Sequence, residues 1–172
     1  MVADRNDAHF SPRFLGVLVA VLALVADQGS KFALLYGAGF WRMAPGETIR
    51  VLPFFNLVMV WNSGISYGLL PVSGAGTLVL IAAVVVVIAF LTWWMWHTTS
   101  SIVALGCGLI IGGGIGNNLI DRVLYGKVAD FFYFHAFGFG WYVFNVADIA
   151  VVLGAVTFIY DVLKPSESSK DA

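Results

Sequence analysis

Two aspartates in the second half of the chain have the surroundings of an acid–base pair. Asp130 lies within the apolar stretch 128–132, and Asp148 follows Asn145 by three residues. The chain between the two aspartates contains Gly138 and Gly140, so it can fold back and bring the carboxyl groups together. Two unrelated polar residues are the alternative interpretation, since perturbed carboxylates mark functional sites only statistically.

Two carboxyl groups in contact cannot both ionise easily, so one of their pKa values rises and the pair shares a proton near neutral pH. The ionised member can take a proton from water as the water attacks an amide carbonyl. The protonated member can hydrogen-bond the carbonyl oxygen and later protonate the leaving nitrogen. If Asp130 and Asp148 meet, the chemistry they offer is peptide hydrolysis without a metal ion or a covalent intermediate.

Other ionisable residues lie within apolar segments, where a charge costs about 2.5–3.5 kcal/mol on insertion scales. Asp27 and Lys31 are four residues apart on one helix, with the acid first, which is the favourable order for an ion pair. Such a pair stabilises the end of the first span or supports an active site. Asp121 and its neighbour Arg122 form a second group of opposite charges.

The third apolar segment carries small and polar residues at helical spacing. Gly108, Gly112 and Gly116 follow one another at steps of four and predict a ridge that another helix approaches closely. Asn118 and Arg122 are also four apart, so an amide and a guanidinium share one face at the membrane edge.

The composition specifies the setting in which these residues act. Of 172 residues, 60% are hydrophobic and only 11% are charged, which excludes an ordinary soluble protein. The net charge of −1 offers no basic surface, so no nucleic acid partner is expected. Cys107 is the single cysteine and cannot form an internal disulfide.

A single membrane domain over residues 1–172 is predicted, with four helices that each hold about the 20 apolar residues needed to cross a bilayer. A removed signal peptide is the alternative for the first segment, although no convincing cleavage site follows it. Four spans place both termini on one side, but the count of Lys and Arg is tied between the two sides. The predicted spans are 14–36, 76–96, 102–120 and 141–163, with strands at Thr48–Leu52 and Phe54–Trp61 in the loop 37–75 and a disordered tail at 165–172.

Five ordered blocks between Asp27 and Asp148 resemble the motifs of bacterial lipoprotein signal peptidase, or signal peptidase II. The match is specific because the blocks occur in order, whereas any single block would be weak. They are Asp27-Gln28-Gly29-Ser30-Lys31, Phe55-Asn56-Leu57 through Trp61-Asn62-Ser63-Gly64-Ile65-Ser66-Tyr67-Gly68, Asn118-Leu119-Ile120-Asp121-Arg122, Gly126-Lys127-Val128-Ala129-Asp130-Phe131 and Phe144-Asn145-Val146-Ala147-Asp148.

This resemblance implies an all-α membrane protein of four transmembrane helices with a small periplasmic β-sheet and a short periplasmic helix or loop. It implies a multi-pass enzyme of the bacterial inner membrane with cytoplasmic termini and a periplasmic active site. The implied activity is that of an aspartyl endopeptidase, which cuts diacylglyceryl-modified prolipoproteins just before the lipidated cysteine. By motif position, Asp130 and Asp148 are catalytic, and the supporting residues are Asn62, Gly64, Asn118, Arg122, Asn145, Asp27 and Lys31.

The resemblance also bears on ligands. No metal or cofactor is expected, the membrane lipid is a partner, and cyclic peptide antibiotics such as globomycin are expected inhibitors. The oligomeric state is left open, with a monomer as the default expectation. The loop from Asn62 to Leu70 is a candidate lid over bound peptide, because it contains Gly64 and Gly68 beside the aromatic Trp61 and Tyr67.

The sequence departs from the family pattern in three places. The position usually held by glycine before the functional amide is occupied by Asn117, so counting back from Arg122 favours Asn118 while Asn117 stays open. Ser66-Tyr67 replaces the usual Ala-Phe, and Ile149 stands where a small hydroxyl residue is common.

Three other functions compete with the peptidase. A small transporter or channel subunit could relay protons through Asp27, Lys31 and Asp148 and would not need Asp130. A Ser–Lys peptidase would pair Lys31 with a serine of the 63–66 segment, but Asp27 keeps that lysine charged. Zinc hydrolysis is disfavoured because the three histidines are scattered.

Overall fold

The computed structural model describes residues 10–44, 47–65, 70, 71 and 74–164. Four helical segments in this part of the chain are long and apolar enough to cross a membrane, as the composition predicts. The strands occur in the connections that follow the first and the third of these segments. In a bundle whose successive helices alternate in direction, these two connections lie at the same end. The four segments are Pro12–Gly37, Ala75–His97, Ser101–Tyr125 and Val146–Leu163.

Two of the four spans contain π-helical stretches. The first is helix α1, Pro12–Phe32, continued by the π-helix Ala33–Gly37. The third consists of α3, Ser101–Gly114, the π-helical stretch Ile115–Asp121, hereafter the π segment, and the short helix α4, Arg122–Tyr125. Such stretches are rare and are often found at functional sites. The remaining helical elements are α2, Ala75–His97, α5, Val146–Leu163, and a single 3₁₀ turn, Phe40–Arg42.

The extramembrane part is built on an antiparallel sheet of four strands in the order β1-β2-β5-β6. The two strands predicted in the first loop are confirmed as β1, Thr48–Leu52, and β2, Phe55–Asn62. Two further strands come from the connection between the third and fourth spans: β5, Val128–Ala136, and β6, Phe139–Gly140. A separate ladder pairs β3, Gly64–Ile65, with β4, Leu70–Pro71.

Two boundaries differ from the prediction. The sheet is not confined to residues 37–75, because β5 pairs with β2 over a long sequence separation. The fourth span begins at Val146 rather than at residue 141, because the Trp141 amide donates to the Phe134 carbonyl at 2.8 Å and Phe144 bridges to Phe132. Apolar character alone could not separate this strand-paired segment from the helix that follows. The predicted tail at 165–172 and residues 66–69 of the predicted lid lie outside the described residues.

Helix α3 forms the centre of the bundle, and its glycines set how closely the other helices approach. A methyl group at Gly108 or Gly112 would overlap the backbone of α1 at Gly16 and Ala20. A methyl group at Gly113 would lie 2.6 Å from the Ala147 carbonyl oxygen of α5. The predicted small-residue ridge is therefore confirmed, and it packs against α1.

Candidate active site

Asp130 lies in β5 and is only 2% exposed. Its two carboxyl oxygens have different partners: Oδ1 accepts a hydrogen bond from the Asn145 side chain at 2.7 Å, and Oδ2 accepts one from the Asn62 side chain at 3.1 Å. Both donors are amides, so the carboxyl group is held in place without a cation in direct contact. The sheet positions this residue, because Asp130 pairs with Val60 of β2, two residues before Asn62.

Asp148 lies in the first turn of α5, where it forms a capping box with Asn145. The Asn145 side-chain oxygen accepts from the Asp148 backbone amide at 3.0 Å, and Asp148 Oδ2 accepts from the Asn145 backbone amide at 3.0 Å. Asp148 Oδ1 accepts from the Asn117 side chain at 3.0 Å. The sequence predicts Asp148 about 10 Å inside the span that starts at Trp141, and this is wrong, because Asn145 ends the strand-paired segment and caps the helix.

Asn145 links the two aspartates and is fully buried. Its backbone and side-chain oxygen hold Asp148, while its side-chain nitrogen donates to Asp130. Both carboxyl groups line one cavity of about 240 Å³, hereafter the carboxylate cavity. The two aspartates therefore lie on the wall of the same cavity, which is lined by Asn62, Gly64, Leu80, Val84, Asn117, Asn118, Arg122, Val128, Asp130 and Asp148.

The proton affinity of Asp130 is altered by this environment. Burial, and next the negative charge of Asp148, raise the pKa of Asp130 from 3.8 to about 7. The hydrogen bonds from Asn62 and Asn145 lower that pKa and offset part of the effect. Near neutral pH, Asp130 can therefore hold a proton or release it, as a general acid must.

A buried ion cluster lies next to the carboxylate cavity. The Lys31 ammonium lies 2.8 Å from Asp27 Oδ2 and 2.8 Å from Asp121 Oδ2, and it donates to Asn117 Oδ1 at 2.6 Å. The predicted pair of Asp27 and Lys31 is confirmed. Asp121, which the sequence groups with Arg122, forms its ion pair with Lys31 instead. A lysine bonded to two carboxylates and an amide is not available as the base of a serine nucleophile.

Asp27 and Gln28 tie α1 to the two other helices of the site. Asp27 Oδ1 accepts from the Ala147 backbone amide at 3.0 Å, in the first turn of α5. The Gln28 side chain donates to Asp27 Oδ2 and to Asp121 Oδ1, both at 3.0 Å. The ion cluster thereby fixes the end of α5 that carries Asp148.

Arg122 connects the π segment to the β3 strand. Its Nη2 donates to the Gly64 carbonyl at 2.6 Å, and its Nε donates to Asn118 Oδ1 at 3.3 Å, which confirms that Asn118 and Arg122 share a face. Gly64 also donates its amide to Asn62 Oδ1 at 3.0 Å. Within the described part of the chain, the buried Arg122 Nη1 has no hydrogen-bond partner. Arg122 is one of the residues that line the carboxylate cavity.

Asn117, rather than Asn118, contacts the carboxylate. Asn117 donates to Asp148 and exchanges hydrogen bonds with Asn145, whereas Asn118 lines the cavity and bonds to Arg122. The sequence favours Asn118 as the functional amide and leaves Asn117 open, since spacing within one helix does not tell which of the two meets a neighbouring helix.

The fold and the site define a class: a multi-pass membrane enzyme with a buried and a half-buried carboxyl group on the wall of one cavity. Residues 19–164 match the family model described as signal peptidase (SPase) II. The chain therefore belongs to the signal peptidase II family, whose members are peptidases of the aspartic type. This membership sets aside the transporter and Ser–Lys alternatives.

Relatives and solved structures agree with this assignment. The chain is 46% identical to the lipoprotein signal peptidase of Rhodopseudomonas palustris (strain ATCC BAA-98 / CGA009), covering 89% of this chain and 94% of the relative. It is 43% identical to that of Beijerinckia indica subsp. indica, covering 94% and 95%. A solved bacterial membrane enzyme at 2.3 Å resolution superposes with a TM-score of 0.77 at 25% identity, covering 95% of this chain and 98% of that one.

Proposed function

We propose that this chain removes signal peptides from diacylglyceryl-modified prolipoproteins by hydrolysing the peptide bond just before the lipidated cysteine. The observation that carries the proposal is the position of Asp130 and Asp148 on the wall of one cavity, bridged by Asn145. The names of the relatives, lipoprotein signal peptidases, support the class of substrate.

In this proposal Asp148 acts as the general base. Its oxygens accept from the Asn117 side chain and the Asn145 backbone, and the amino-terminal end of α5 favours a negative charge at this position. The ionised Asp148 takes a proton from a water molecule as the water oxygen attacks the carbonyl carbon. Water is thereby activated without a nucleophilic side chain.

Asp130 acts as the general acid. With a pKa of about 7 it holds the shared proton at neutral pH and donates a hydrogen bond to the carbonyl oxygen of the bond to be cut. When the tetrahedral intermediate collapses, Asp130 donates its proton to the leaving nitrogen of the cysteine and the carbon–nitrogen bond breaks. Asn62 and Asn145 keep the Asp130 carboxyl oriented, and Arg122 holds the Gly64 end of the adjacent loop.

The lipid on the substrate accounts for a site at the membrane edge. Each buried CH₂ of an acyl chain contributes about 0.8 kcal/mol, so the bilayer itself retains the diacylglyceryl group. Leu80 and Val84 of α2 form an apolar wall of the carboxylate cavity, on which a lipidated cysteine can lie. The membrane concentrates the substrate, and the enzyme needs only to orient one peptide bond.

The same reasoning gives the orientation and assembly of the enzyme. We place it in the bacterial inner membrane with cytoplasmic termini and the sheet on the periplasmic side, where prolipoproteins emerge. We take a monomer as the active unit. A cyclic peptide antibiotic such as globomycin would act by occupying this cavity in place of the substrate peptide.

The test is cleavage of a lipidated prolipoprotein by purified enzyme. Asp130→Asn and Asp148→Asn should each lower the rate at least about 100-fold, because each removes one partner of the acid–base pair. Asp161→Asn is the matched control, since Asp161 lies on the same helix as Asp148 and bonds to Ser100 away from the cavity. It should keep the wild-type rate.

The same assay includes the substrate without its diacylglyceryl group, which should resist cleavage. Near-normal activity in either Asp130→Asn or Asp148→Asn, with the variant folded as judged by its unfolding transition, would refute the assignment of the pair.

A further inference from the structure

A second cavity lies on the extramembrane sheet, outside the residues used by the proposed reaction. It encloses about 500 Å³, within the range of sites that bind small ligands or side chains. Its walls are almost entirely aromatic, and we refer to it as the aromatic groove. It is lined by Phe54, Phe134, His135, Phe139, Trp141 and Phe144, together with Ala136.

A third cavity, of about 380 Å³, shares lining residues with both the aromatic groove and the carboxylate cavity. This intermediate cavity shares Asn62 and Asp130 with the carboxylate cavity and Trp141 with the aromatic groove. Shared walls make the three spaces neighbours in a row. A chain bound at the carboxyl groups can therefore continue past Trp141 into the groove.

Strand β5 runs along this row. Alternate residues of a strand point to the same face, so Asp130, Phe132 and Phe134 face the same way. The opposite face carries Ala129 and Phe131, which are fully buried against the core below the sheet. At about 3.3 Å per residue, Phe134 lies roughly 13 Å along the strand from Asp130, a distance that about four residues of extended peptide cover.

The groove residues are exposed although they are large and apolar. Phe54 is 49% exposed, Phe139 66% and Trp141 54%, and no described part of the chain covers them. The rings form one continuous wall, since Phe134 lies 5.9 Å from Phe144 and 6.5 Å from Phe54 between centroids. Apolar side chains match this lining.

We propose that the aromatic groove binds the mature part of the prolipoprotein, at roughly the third to fifth residue counting the lipidated cysteine as the first, and that it prefers apolar side chains there. This inference rests on the proposed function. The segment before the cysteine is the apolar signal helix and belongs in the bilayer, whereas the groove lies on the extramembrane sheet. The occupant is therefore the chain that leaves the membrane after the cysteine.

The proposal is tested with two lipidated substrates that differ only at mature positions 3–5, one with Leu-Phe-Leu and one with Ser-Gly-Ser. The apolar substrate should have a kcat/KM about tenfold higher, mainly through a lower KM, because the groove binds ground state and transition state alike. Phe139→Ala should reduce this preference to about twofold, mainly through a higher KM for the apolar substrate.

Phe137→Ala is the matched control. Phe137 lies in the same hairpin two residues away and is fully exposed, but it does not line the groove. This variant should keep the tenfold preference. If both variants instead slow both substrates equally, the hairpin contacts the lipid surface and the groove is not a peptide site.

Photo-crosslinking provides a measurement that does not depend on turnover. In the Asp130→Asn enzyme, a benzophenone side chain at mature position 4 should attach to residues 134–141, and one at position 12 should not. Equal labelling from both positions, or equal kcat/KM for the two substrates in the wild-type enzyme, would refute the assignment of the aromatic groove as a peptide-binding site. Failure of the proposed function is a different result, namely no cleavage of either lipidated substrate.

Discussion

At the scale of single residues, Lys31 determines the direction of the Asn117 amide. An ammonium group only donates hydrogen bonds, so the Asn117 atom 2.6 Å from Lys31 Nζ must be the oxygen. The Asn117 nitrogen is then left to donate to Asp148 and Asn145. Lys31 in α1 thereby orients the Asn117 amide so that its nitrogen donates to Asp148 in α5, although Lys31 does not line the carboxylate cavity.

This arrangement predicts the relative importance of the two adjacent amides. Asn117→Ala removes a donor to Asp148 and leaves Lys31 short of one acceptor, so kcat should fall about 100-fold. Asn118→Ala removes a contact to Arg122 at the cavity wall and should cost about tenfold or less. Steady-state cleavage of a lipidated prolipoprotein measures both. The reverse order would show that Asn118 contacts the reacting groups.

Sequence alone supplied part of this site. The aspartates at 130 and 148 and the pair of Asp27 and Lys31 follow from charge placed in apolar segments and from helical spacing. The sequence does not tell which other polar side chains face the site, because that depends on the rotation of one helix against another. Such residues are Asn117, Gln28 and Asp121. The π segment changes that rotation locally, and hydrophobic periodicity gives no signal for it.

At the scale of elements, α3 holds the site together by close approach to its neighbours. Gly112 lies against Ala20 and Ala23 of α1, and Gly113 lies against α5. Gly116, in the π segment, faces the Asp27 carboxylate. Helices packed through small residues bring their polar side chains close enough for direct hydrogen bonds. The packing of α1 on α3 is therefore the condition for the contact between Lys31 and Asn117.

Gly112→Ala should destabilise the protein by about 1–3 kcal/mol, because the added methyl group overlaps the α1 backbone and forces the helices apart. Gly29→Ala is the control within α1, since a methyl group there meets no atom within 4 Å. It should leave stability unchanged or raise it by about 0.5–1 kcal/mol, as alanine favours a helix over glycine. Thermal unfolding in detergent compares the two. Equal effects of the two substitutions would mean that α1 and α3 can move apart without loss of stability.

The strands of the sheet differ in whether local sequence predicts them. The two strands of the first loop are bounded by proline and glycine and are rich in β-branched and aromatic residues, and both were predicted. Strand β5 was not predicted, because it pairs with β2 across more than sixty residues of chain and lies between two membrane spans. Local pattern cannot specify a partner at that separation.

At the scale of the whole molecule, the site exists only when all four spans and the sheet are assembled. Lys31 comes from α1, Leu80 from α2, Asn117 from the third span, Asp130 from the sheet and Asp148 from α5. This assembly removes Asp130 from water, and burial is the largest cause of its raised pKa. The fold thus sets the proton affinity of Asp130.

The pH dependence of cleavage follows from this effect. If Asp130 must be protonated while Asp148 is ionised, the alkaline limb of activity falls as the pH rises through about 7. The Asn62 hydrogen bond favours the ionised form of Asp130 and lowers its pKa, so Asn62→Ala should move the alkaline limb of kcat/KM to higher pH.

The profile is measured between pH 5.5 and 9 with a lipidated prolipoprotein, and Asp161→Asn should retain the wild-type limb because Asp161 is remote from the pair. Since the two carboxyl groups interact, the limb reports the pair as a unit. A rate that does not change across this range, or a limb that moves to lower pH in Asn62→Ala, would mean that Asp130 does not carry the proton that the reaction uses.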